Sequence, residues 1–331
     1  MVRQKMHHLQ CLVLCLIVLV GCVRPPSPLE TDVIVMNVTR RGLWNLSEET
    51  YVIATDGSGP LSQTIPSGVT GSSDWSPDGQ WIAFASEDNS AIYIMRRDGS
   101  QRTQVTYLSA LYADMAWSPA GTHLAYYGRG EETEEGIYIQ DVTCLMDTEV
   151  TCDSTPVLFA VGGECPDWSP DGQYIVYAYS HSRGEVMKEI RIASVTNPEE
   201  VMELLSERFC ANPQWSPIGD KIALSCRIEP EGKGPAQSAV YTINADGSGL
   251  TQLTAPEPIP ARYLHPRWSP NGDRLAFNSA QDDDLGQNVC SLGCSDEILT
   301  SALYVMNADG TNIVRLSLRD DECVDTYTWV P

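Results

Sequence analysis

Trp75-Ser76-Pro77-Asp78-Gly79 is a five-residue phrase that returns, with small changes, along the chain. Its copies open with Trp75, Trp117, Trp168, Trp215, Trp268 and Trp329. Successive copies lie 42, 51, 47, 53 and 61 residues apart, and they hold six of the eight tryptophans. A period of this length is typical of folds that repeat one supersecondary unit.

The phrase has the chemistry of a tight turn. Proline presets the backbone of the first turn position, Asp or Asn suits the next, and glycine takes the left-handed conformation. In the first copy two strand candidates follow, Trp81-Ile82-Ala83-Phe84 and Ile92-Tyr93-Ile94-Met95, and a second turn at Asp98-Gly99 precedes a short outer strand. Together with the tryptophan strand, this pattern predicts the four-stranded blade of a β-propeller.

One blade is divided between the two ends of the repeat region. Residues 32–65 contain strand candidates but lack an inner tryptophan strand, and Thr326-Tyr327-Thr328-Trp329 supplies one. Pairing the two segments closes the ring and removes exposed sheet edges. The sequence therefore predicts an all-β fold over residues 32–331. This fold is a six-bladed β-propeller of four-stranded antiparallel blades, with the N- and C-terminal strands sharing one blade.

The segment before the propeller has the pattern of an export signal. A basic start is followed by an apolar run too short to span a bilayer but suited to a signal peptide. The run ends in Leu19-Val20-Gly21-Cys22, which resembles the lipobox of bacterial lipoproteins. The resemblance implies a signal peptide at 1–21, a lipidated Cys22 and a proline-rich tether at 22–31. It also implies a place in the bacterial cell envelope, on the outer membrane facing the periplasm if the cell has two membranes.

The repeat as a whole resembles that of a known family. The tryptophan phrase, followed by Ile-Ala-Phe, Ile-Tyr-Ile-Met and Asp-Gly, is similar to the TolB-type six-bladed propeller repeat. Similar repeats occur in dipeptidyl-peptidase-type enzymes and in some sugar lyases. The resemblance covers roughly residues 32–331. It implies the fold and leaves activity open, because a propeller is a scaffold on which sites are built.

Charge restricts the partners. Against 21 Lys and Arg the chain carries 44 Asp and Glu, a formal net charge of −23. Such a chain has no basic surplus to neutralise nucleic-acid phosphates or to hold an anionic membrane. We therefore expect no nucleic-acid partner, and membrane attachment through the N-terminal lipid only.

Catalytic motifs are scarce. The chain has no Gly-x-Ser-x-Gly nucleophile elbow. His123, His181 and His265 fall in parts of the blade that do not converge, which disfavours a histidine metal site. The run Asp282, Asp283 and Asp284 is a weak candidate for Ca²⁺, with a solvated charge run as the favoured interpretation. No cofactor is predicted.

Eight cysteines follow Cys22, and an even number in an exported chain predicts disulfides. Two pairs are suggested by position: Cys144 with Cys152 around an outer hairpin, and Cys210 with Cys226, which the turn register places opposite each other. The remaining candidates are Cys290 and Cys294, which pair with each other or through Cys323, and Cys165, which has no obvious partner.

Three functional hypotheses remain, of which one is a purely structural envelope component, to be supported by a deletion together with a pull-down that finds no ligand. The first is a non-catalytic module that binds an envelope protein, peptide or glycan, on the face carrying Cys165, Cys210, His265 and the loop at Asp282, because its loops are long and varied. The alternative is a propeller lyase or hydrolase with a carboxylate or metal site in the central channel. Polar groups that converge in the channel at ligand distance would favour the enzyme.

Overall fold

A computed structural model describes residues 33–41, 46–56, 60–61, 73–86, 91–106, 109–129, 134–146, 154–181, 189–206, 208–228, 237–255, 263–279, 302–316 and 322–331. These residues belong to a compact unit that extends from Thr31 to Pro331. The predicted signal and tether lie outside the described residues. Within the described ranges, no helix has both the length and the hydrophobicity that crossing a bilayer requires.

The described chain is almost entirely β-structure, interrupted by a single 3₁₀ turn at Thr143–Met146. The strands are β1 (Val33–Arg41), β2 (Leu46–Ala54), β3 (Pro60–Leu61), β4 (Ser73–Trp75), β5 (Trp81–Ala85), β6 (Ile92–Arg96), β7 (Thr103–Gln104), β8 (Ser109–Trp117), β9 (His123–Arg129), β10 (Gly136–Asp141), β11 (Val157–Val161), β12 (Gly163–Trp168), β13 (Tyr174–Tyr179), β14 (Glu189–Ser194), β15 (Val201–Leu205), β16 (Cys210–Trp215), β17 (Lys221–Ile228), β18 (Gln237–Asn244), β19 (Thr251–Gln252), β20 (Tyr263–Trp268), β21 (Arg274–Ser279), β22 (Ala302–Asn307), β23 (Val314–Arg315) and β24 (Glu322–Trp329).

These strands form six antiparallel sheets of four strands each, which confirms the predicted six-bladed propeller. We number the blades I (β4–β7), II (β8–β11), III (β12–β15), IV (β16–β19), V (β20–β23) and VI (β24, β1, β2, β3). Blade VI has the predicted exchange. Its inner strand β24 pairs with β1, with Trp329 opposite Ile34 and Tyr327 opposite Met36.

The tryptophan phrase forms the turn between the first and second strand of a blade. In blade I, Gly79 has a φ of +63° and its N–H donates to the Ser76 carbonyl at 2.8 Å. The Ser76 hydroxyl donates to Asp78 Oδ1 at 2.6 Å and accepts from the Trp81 N–H at 2.9 Å. The equivalent serine contacts recur in blade III at Ser169. The side chains of the phrase therefore satisfy the backbone of the turn they create.

The phrase tryptophans join each blade to the one before it. Four of the six donate their indole N–H to the carbonyl of the residue preceding the tryptophan of the previous blade. The pairs are Trp117 to Asp74 (3.2 Å), Trp168 to Ala116 (3.1 Å), Trp268 to Gln214 (3.1 Å) and Trp329 to Arg267 (3.0 Å). Trp215 instead donates to the Gly219 carbonyl of its own turn at 3.4 Å.

Apolar packing follows the same plan. Buried clusters lie between successive blades, and each of the five described clusters contains one phrase tryptophan: Trp117, Trp168, Trp215, Trp268 or Trp329. Each tryptophan is 5–8% exposed. A propeller repeat cannot bury its faces alone, so these contacts between blades supply the core.

The cysteine predictions are partly tested. Cys210 lies opposite Cys226 in the register and the two form a disulfide, as predicted. Cys144 is disulfide-bonded, and so is Cys165, to which the sequence assigned no partner. The side chains of their partners lie outside the described residues. Cys152, Cys290 and Cys294, which belong to the predicted pairs, lie outside them as well.

The indole hydrogen bonds between blades predict a difference between two otherwise similar substitutions. Trp168→Phe deletes the donor to Ala116 O and leaves a buried carbonyl without its partner, whereas Trp215→Phe deletes a bond within one turn. Both shrink a buried aromatic side chain, so the pair controls for lost packing. We expect Trp168→Phe to lower the free energy of unfolding by about 1 kcal/mol more than Trp215→Phe, measured by urea denaturation. Equal losses would show that the hydrogen bond contributes nothing beyond packing.

Candidate functional site

All six blades contribute to one cavity of about 360 Å³ at the centre of the ring, which we call the funnel. Its wall consists of the phrase tryptophans and the prolines that follow them: Pro77, Pro119, Pro170, Pro217, Pro270 and Pro331. These prolines are exposed and surround the mouth. The funnel therefore lies at the turn end of the inner strands.

The mouth is built from contacts between neighbouring turns. A Cβ on Gly121 would lie 3.9 Å from Pro77 Cδ, and one on Gly172 would lie 3.8 Å from Pro119 Cδ. The same arrangement closes the ring, because a Cβ on Gly79 would lie 3.6 Å from the carbonyl oxygen of Pro331. The prolines and turn glycines of neighbouring blades thus lie against one another around the mouth, and we call this ring of turns the rim.

The rim is chemically uneven. Blades I and III place Asp78 and Asp171 at the fourth position of the phrase, and blade V places Asn271 there. Blade IV places Ile218 at this position with 66% of its surface exposed, although its side chain also packs against the turn of Gly272. An exposed isoleucine at the mouth of a cavity is an apolar contact available to a partner.

The base of the funnel is polar. It is formed by side chains of the residues that immediately precede the tryptophans: Asp74, Asp167, Gln214, Arg267 and Thr328. Asp74 Oδ2 accepts from the Trp117 N–H at 3.2 Å, and Asp167 Oδ2 accepts from the Trp215 N–H at 2.6 Å. Each aspartate therefore caps the backbone of the next blade while facing the cavity.

Burial sets the charge of these carboxyl groups. Burial raises the pKa of Asp167 to about 6, against the lowering effect of its hydrogen bonds to the Trp215 N–H and the Gln214 amide. Burial also raises the pKa of Asp74, and the Arg267 charge and the Trp117 N–H oppose this increase. Both groups thus bind protons more readily than an exposed carboxylate.

A smaller cavity of about 20 Å³ lies next to the funnel along the channel, and Gln214 and Arg267 line both. Cys165, Asn212 and His265 occupy equivalent places on β12, β16 and β20, each followed by proline, with φ of 51°, 51° and 53°. This left-handed conformation is uncommon for residues other than glycine.

Two buried polar atoms in this cavity have no hydrogen-bond partner among the described residues, Asn212 Oδ1 and His265 Nε2. The volume of the cavity is sufficient for a single water molecule. Burial lowers the pKa of His265 to about 3, and the nearby Arg267 charge adds to the effect. The imidazole is therefore neutral at physiological pH.

The three histidines predicted not to converge have different surroundings. His123 Nδ1 lies 2.9 Å from the Thr122 hydroxyl, His181 Nε2 lies 2.7 Å from Glu189 Oε1, and His265 lines the channel. No group of three or more His, Cys, Asp or Glu that could hold a metal ion occurs in the part of the chain that the structure describes. Cys22 and the Ca²⁺ candidates Asp282, Asp283 and Asp284 lie outside it.

The residues at the base of the funnel are not among the site residues predicted from the sequence. Their position in the repeat could have identified them, because each immediately precedes a phrase tryptophan. The long, varied loops favoured the opposite face as the binding surface, whereas the funnel lies among the short turns. That choice of face stays a prediction, because the loop at Asp282 is outside the described residues.

The low pKa of His265 predicts a specific dependence of stability on pH. Between about pH 6.5 and pH 3 the unfolded chain binds a proton on this imidazole that the folded chain excludes, so stability is lost as the pH falls. His265→Asn removes the titrating group and keeps a residue type that Asn212 shows to be compatible with this conformation. We expect the variant to lose about 2 to 3 kcal/mol less than the wild type between pH 7.5 and 4.5. Urea denaturation at each pH measures this, and parallel profiles would contradict it. Asp167, whose raised pKa favours the folded state as the pH falls, acts in the opposite direction. Its effect is the same in the variant and the wild type, so it cancels when the two losses of stability are compared.

Comparisons with known proteins agree with this architecture. A family model described as the TolB beta propeller domain matches residues 26–198. TolB from Acinetobacter baumannii is similar with a TM-score of 0.64 and 22% identity, over 92% of this chain and 68% of that one. A putative TolB from Agrobacterium tumefaciens gives 0.60 and 19%, over 86% and 88% of the two chains.

An enzyme shares the fold at greater distance. Prolyl oligopeptidase B from Galerina marginata gives a TM-score of 0.50 and 13% identity, over 82% of this chain and 40% of that one. At these identities the structural likenesses establish the fold alone. The family model matches more than half of the sequence, and the chain belongs to the TolB beta propeller domain family.

Proposed function

We propose that this protein is a non-catalytic binding module of the bacterial cell envelope, held to its membrane by a lipid on Cys22. Its partner is a protein that inserts a peptide segment into the funnel. The observation that carries the proposal is the funnel itself, to which all six blades contribute. A site at the hub of a rigid ring is pre-organised, so binding costs little ordering of the receptor.

The size of the funnel supports a peptide segment. Its volume of about 360 Å³ falls in the range of pockets that enclose small ligands. A cavity of this size accommodates a few side chains and is too small for a folded domain. The partner would therefore contact the exposed rim with its surface and fill the cavity with a projecting segment.

The tryptophans favour a peptide over a glycan. Sugar recognition by stacking needs an exposed aromatic face, but each phrase tryptophan is 5–8% exposed because it packs between blades. The rim presents proline rings and the exposed side chain of Ile218, next to the exposed polar residues Asp78, Asp171 and Asn271. Apolar anchors of this kind suit the centre of a protein–protein contact.

The alternative, an enzyme acting in the channel, rests on Asp74 and Asp167, because two carboxyl groups with raised pKa values facing one cavity are a feature of active sites. Each of these carboxyl groups, however, accepts a backbone N–H of the next blade. This structural use explains both residues without catalysis. We therefore favour the binding module.

Site-specific photo-crosslinking tests the position of the partner. A photoreactive amino acid at position 218 lies on the rim, and the same amino acid at position 313 replaces an isoleucine that is 50% exposed beside the outer strand β23. After irradiation of intact envelopes, we expect a discrete protein adduct from position 218 and none of that mass from position 313.

Two outcomes would contradict the proposal. Adducts of the same mass and yield from both positions would indicate non-specific contact with abundant envelope proteins. No adduct from position 218, with a correctly folded protein in the envelope, would mean that the rim faces solvent. Mass spectrometry of the adduct identifies the partner.

The lipid anchor has its own test. Cys22→Ser should abolish incorporation of labelled palmitate and move the protein from the membrane fraction to the soluble fraction, because a net charge of −23 gives no electrostatic hold on an anionic bilayer. Cys15→Ser, a change inside the predicted signal, is the matched control and should keep the label. Label retained in Cys22→Ser, or absent from the wild type, would refute lipidation at this residue.

A further inference from the structure

Arg267 is unlike every residue at the equivalent position of the other blades. The residues that precede the six tryptophans are Asp74, Ala116, Asp167, Gln214, Arg267 and Thr328. Arg267 is the one cation among them, in a chain with a large acidic excess. Its side chain lies where the funnel meets the smaller cavity and lines both. It is therefore placed to meet whatever reaches the base of the funnel.

The backbone of Arg267 is fixed while its guanidinium is left without a partner. The Arg267 carbonyl accepts the Trp329 indole N–H at 3.0 Å, which anchors the residue to blade VI. The guanidinium forms no hydrogen bond and no ion pair within 4.0 Å with the residues that the structure describes. The five N–H donors of the guanidinium thus have no acceptor among the described residues, and Arg267 lines both cavities.

The neighbouring carboxyl groups do not supply that acceptor. Asp167 Oδ2 is bound to the Trp215 N–H and to Gln214 Nε2, and Asp74 is bound to the Trp117 N–H and the Thr328 hydroxyl. These hydrogen bonds hold both carboxyl groups against the backbone and polar side chains of neighbouring inner strands. Arg267 acts on them only through its charge, which opposes the rise in both pKa values.

We propose that Arg267 is the receptor for a carboxylate group carried by the segment that enters the funnel. A guanidinium binds a carboxylate with two parallel hydrogen bonds, and a half-buried guanidinium with no protein partner gains most from doing so. The carboxylate is either a peptide C-terminus or an Asp or Glu side chain. This inference rests on the proposed function and adds the chemical identity of the group recognised.

Proton binding strengthens the interaction at mildly acidic pH. Among the residues that the structure describes, the charged and titratable groups facing the site are Arg267 and His265 on β20, Asp74 on β4, Asp167 on β12 and Tyr327 on β24. Below about pH 6 Asp167 becomes protonated and no longer repels a ligand carboxylate, whereas His265 stays neutral. The affinity for a carboxylate should therefore rise as the pH falls from about 7.5 to 5.5.

Small probes test the proposal without the natural partner. Acetyl-Gly-Gly with a free carboxylate represents a C-terminus, acetyl-glutamate amide represents an acidic side chain, and acetyl-glutamine amide is the uncharged control. Titrations follow the side-chain Nε–H signal of Arg267 by NMR, assigned by its absence in Arg267→Gln. We expect at least one carboxylate to shift the signal, more strongly at pH 5.5 than at 7.5, and the glutamine control to leave it unchanged. The stronger carboxylate identifies the source.

Variants separate charge from geometry. Calorimetric titration should give at least about tenfold weaker carboxylate binding in Arg267→Gln, and an intermediate affinity in Arg267→Lys, which keeps the charge but not the planar fork. A single cooperative unfolding transition in each variant shows that both variants are folded. An unmoved Arg267 signal with both carboxylates, or an equal response to the glutamine control, would overturn the inference. If the adduct from position 218 forms nevertheless, the funnel still binds a partner, but through groups other than a carboxylate.

Discussion

The fold depends on one repeated interaction, in which a tryptophan at the end of an inner strand is packed between two blades and donates its indole N–H to the preceding blade. In the described strands no sheet hydrogen bonds join one blade to the next, so contacts made by side chains must hold the blades together. Burying an indole removes a large apolar area from water, and its N–H needs an acceptor once buried. A backbone carbonyl in a fixed position meets that need and sets the register between blades.

The same interaction shapes the site. Because each tryptophan faces its neighbours, the wall of the funnel shows the solvent little more than indole edges and proline rings. In five of the six blades the residue before the tryptophan lines the funnel. In blades I and III this residue is an aspartate that also caps the next strand, and in blade V it is Arg267, to which we assign the proposed recognition. The residues that hold the blades together and those that line the site are thus neighbours on one strand.

The sequence was sufficient to predict features that depend on local pattern. The turn phrase gave the blades, the missing inner strand gave the pairing of β24 with β1, and turn register gave the disulfide between Cys210 and Cys226. It was not sufficient for features that depend on distances across the ring. Three features depend on how the blades are arranged in space: Arg267 and Asp167 line one cavity, Nε2 of His265 is buried, and Cys165 is disulfide-bonded. Residues far apart in sequence meet there, and periodicity carries no information about these distances.

The shared blade VI also has a consequence for how the chain folds. Strand β1 carries the buried residues Val33 to Val38, yet its inner neighbour β24 lies almost three hundred residues later. Contacts of such high sequence separation form slowly, because the entropy of loop closure is lost before the contacts stabilise the chain. Until they form, β1 offers an apolar edge to any other extended chain. A nascent propeller of this kind would need a chaperone or a high rate of ring closure to avoid aggregation, whereas in the closed ring β24 pairs with this edge of β1.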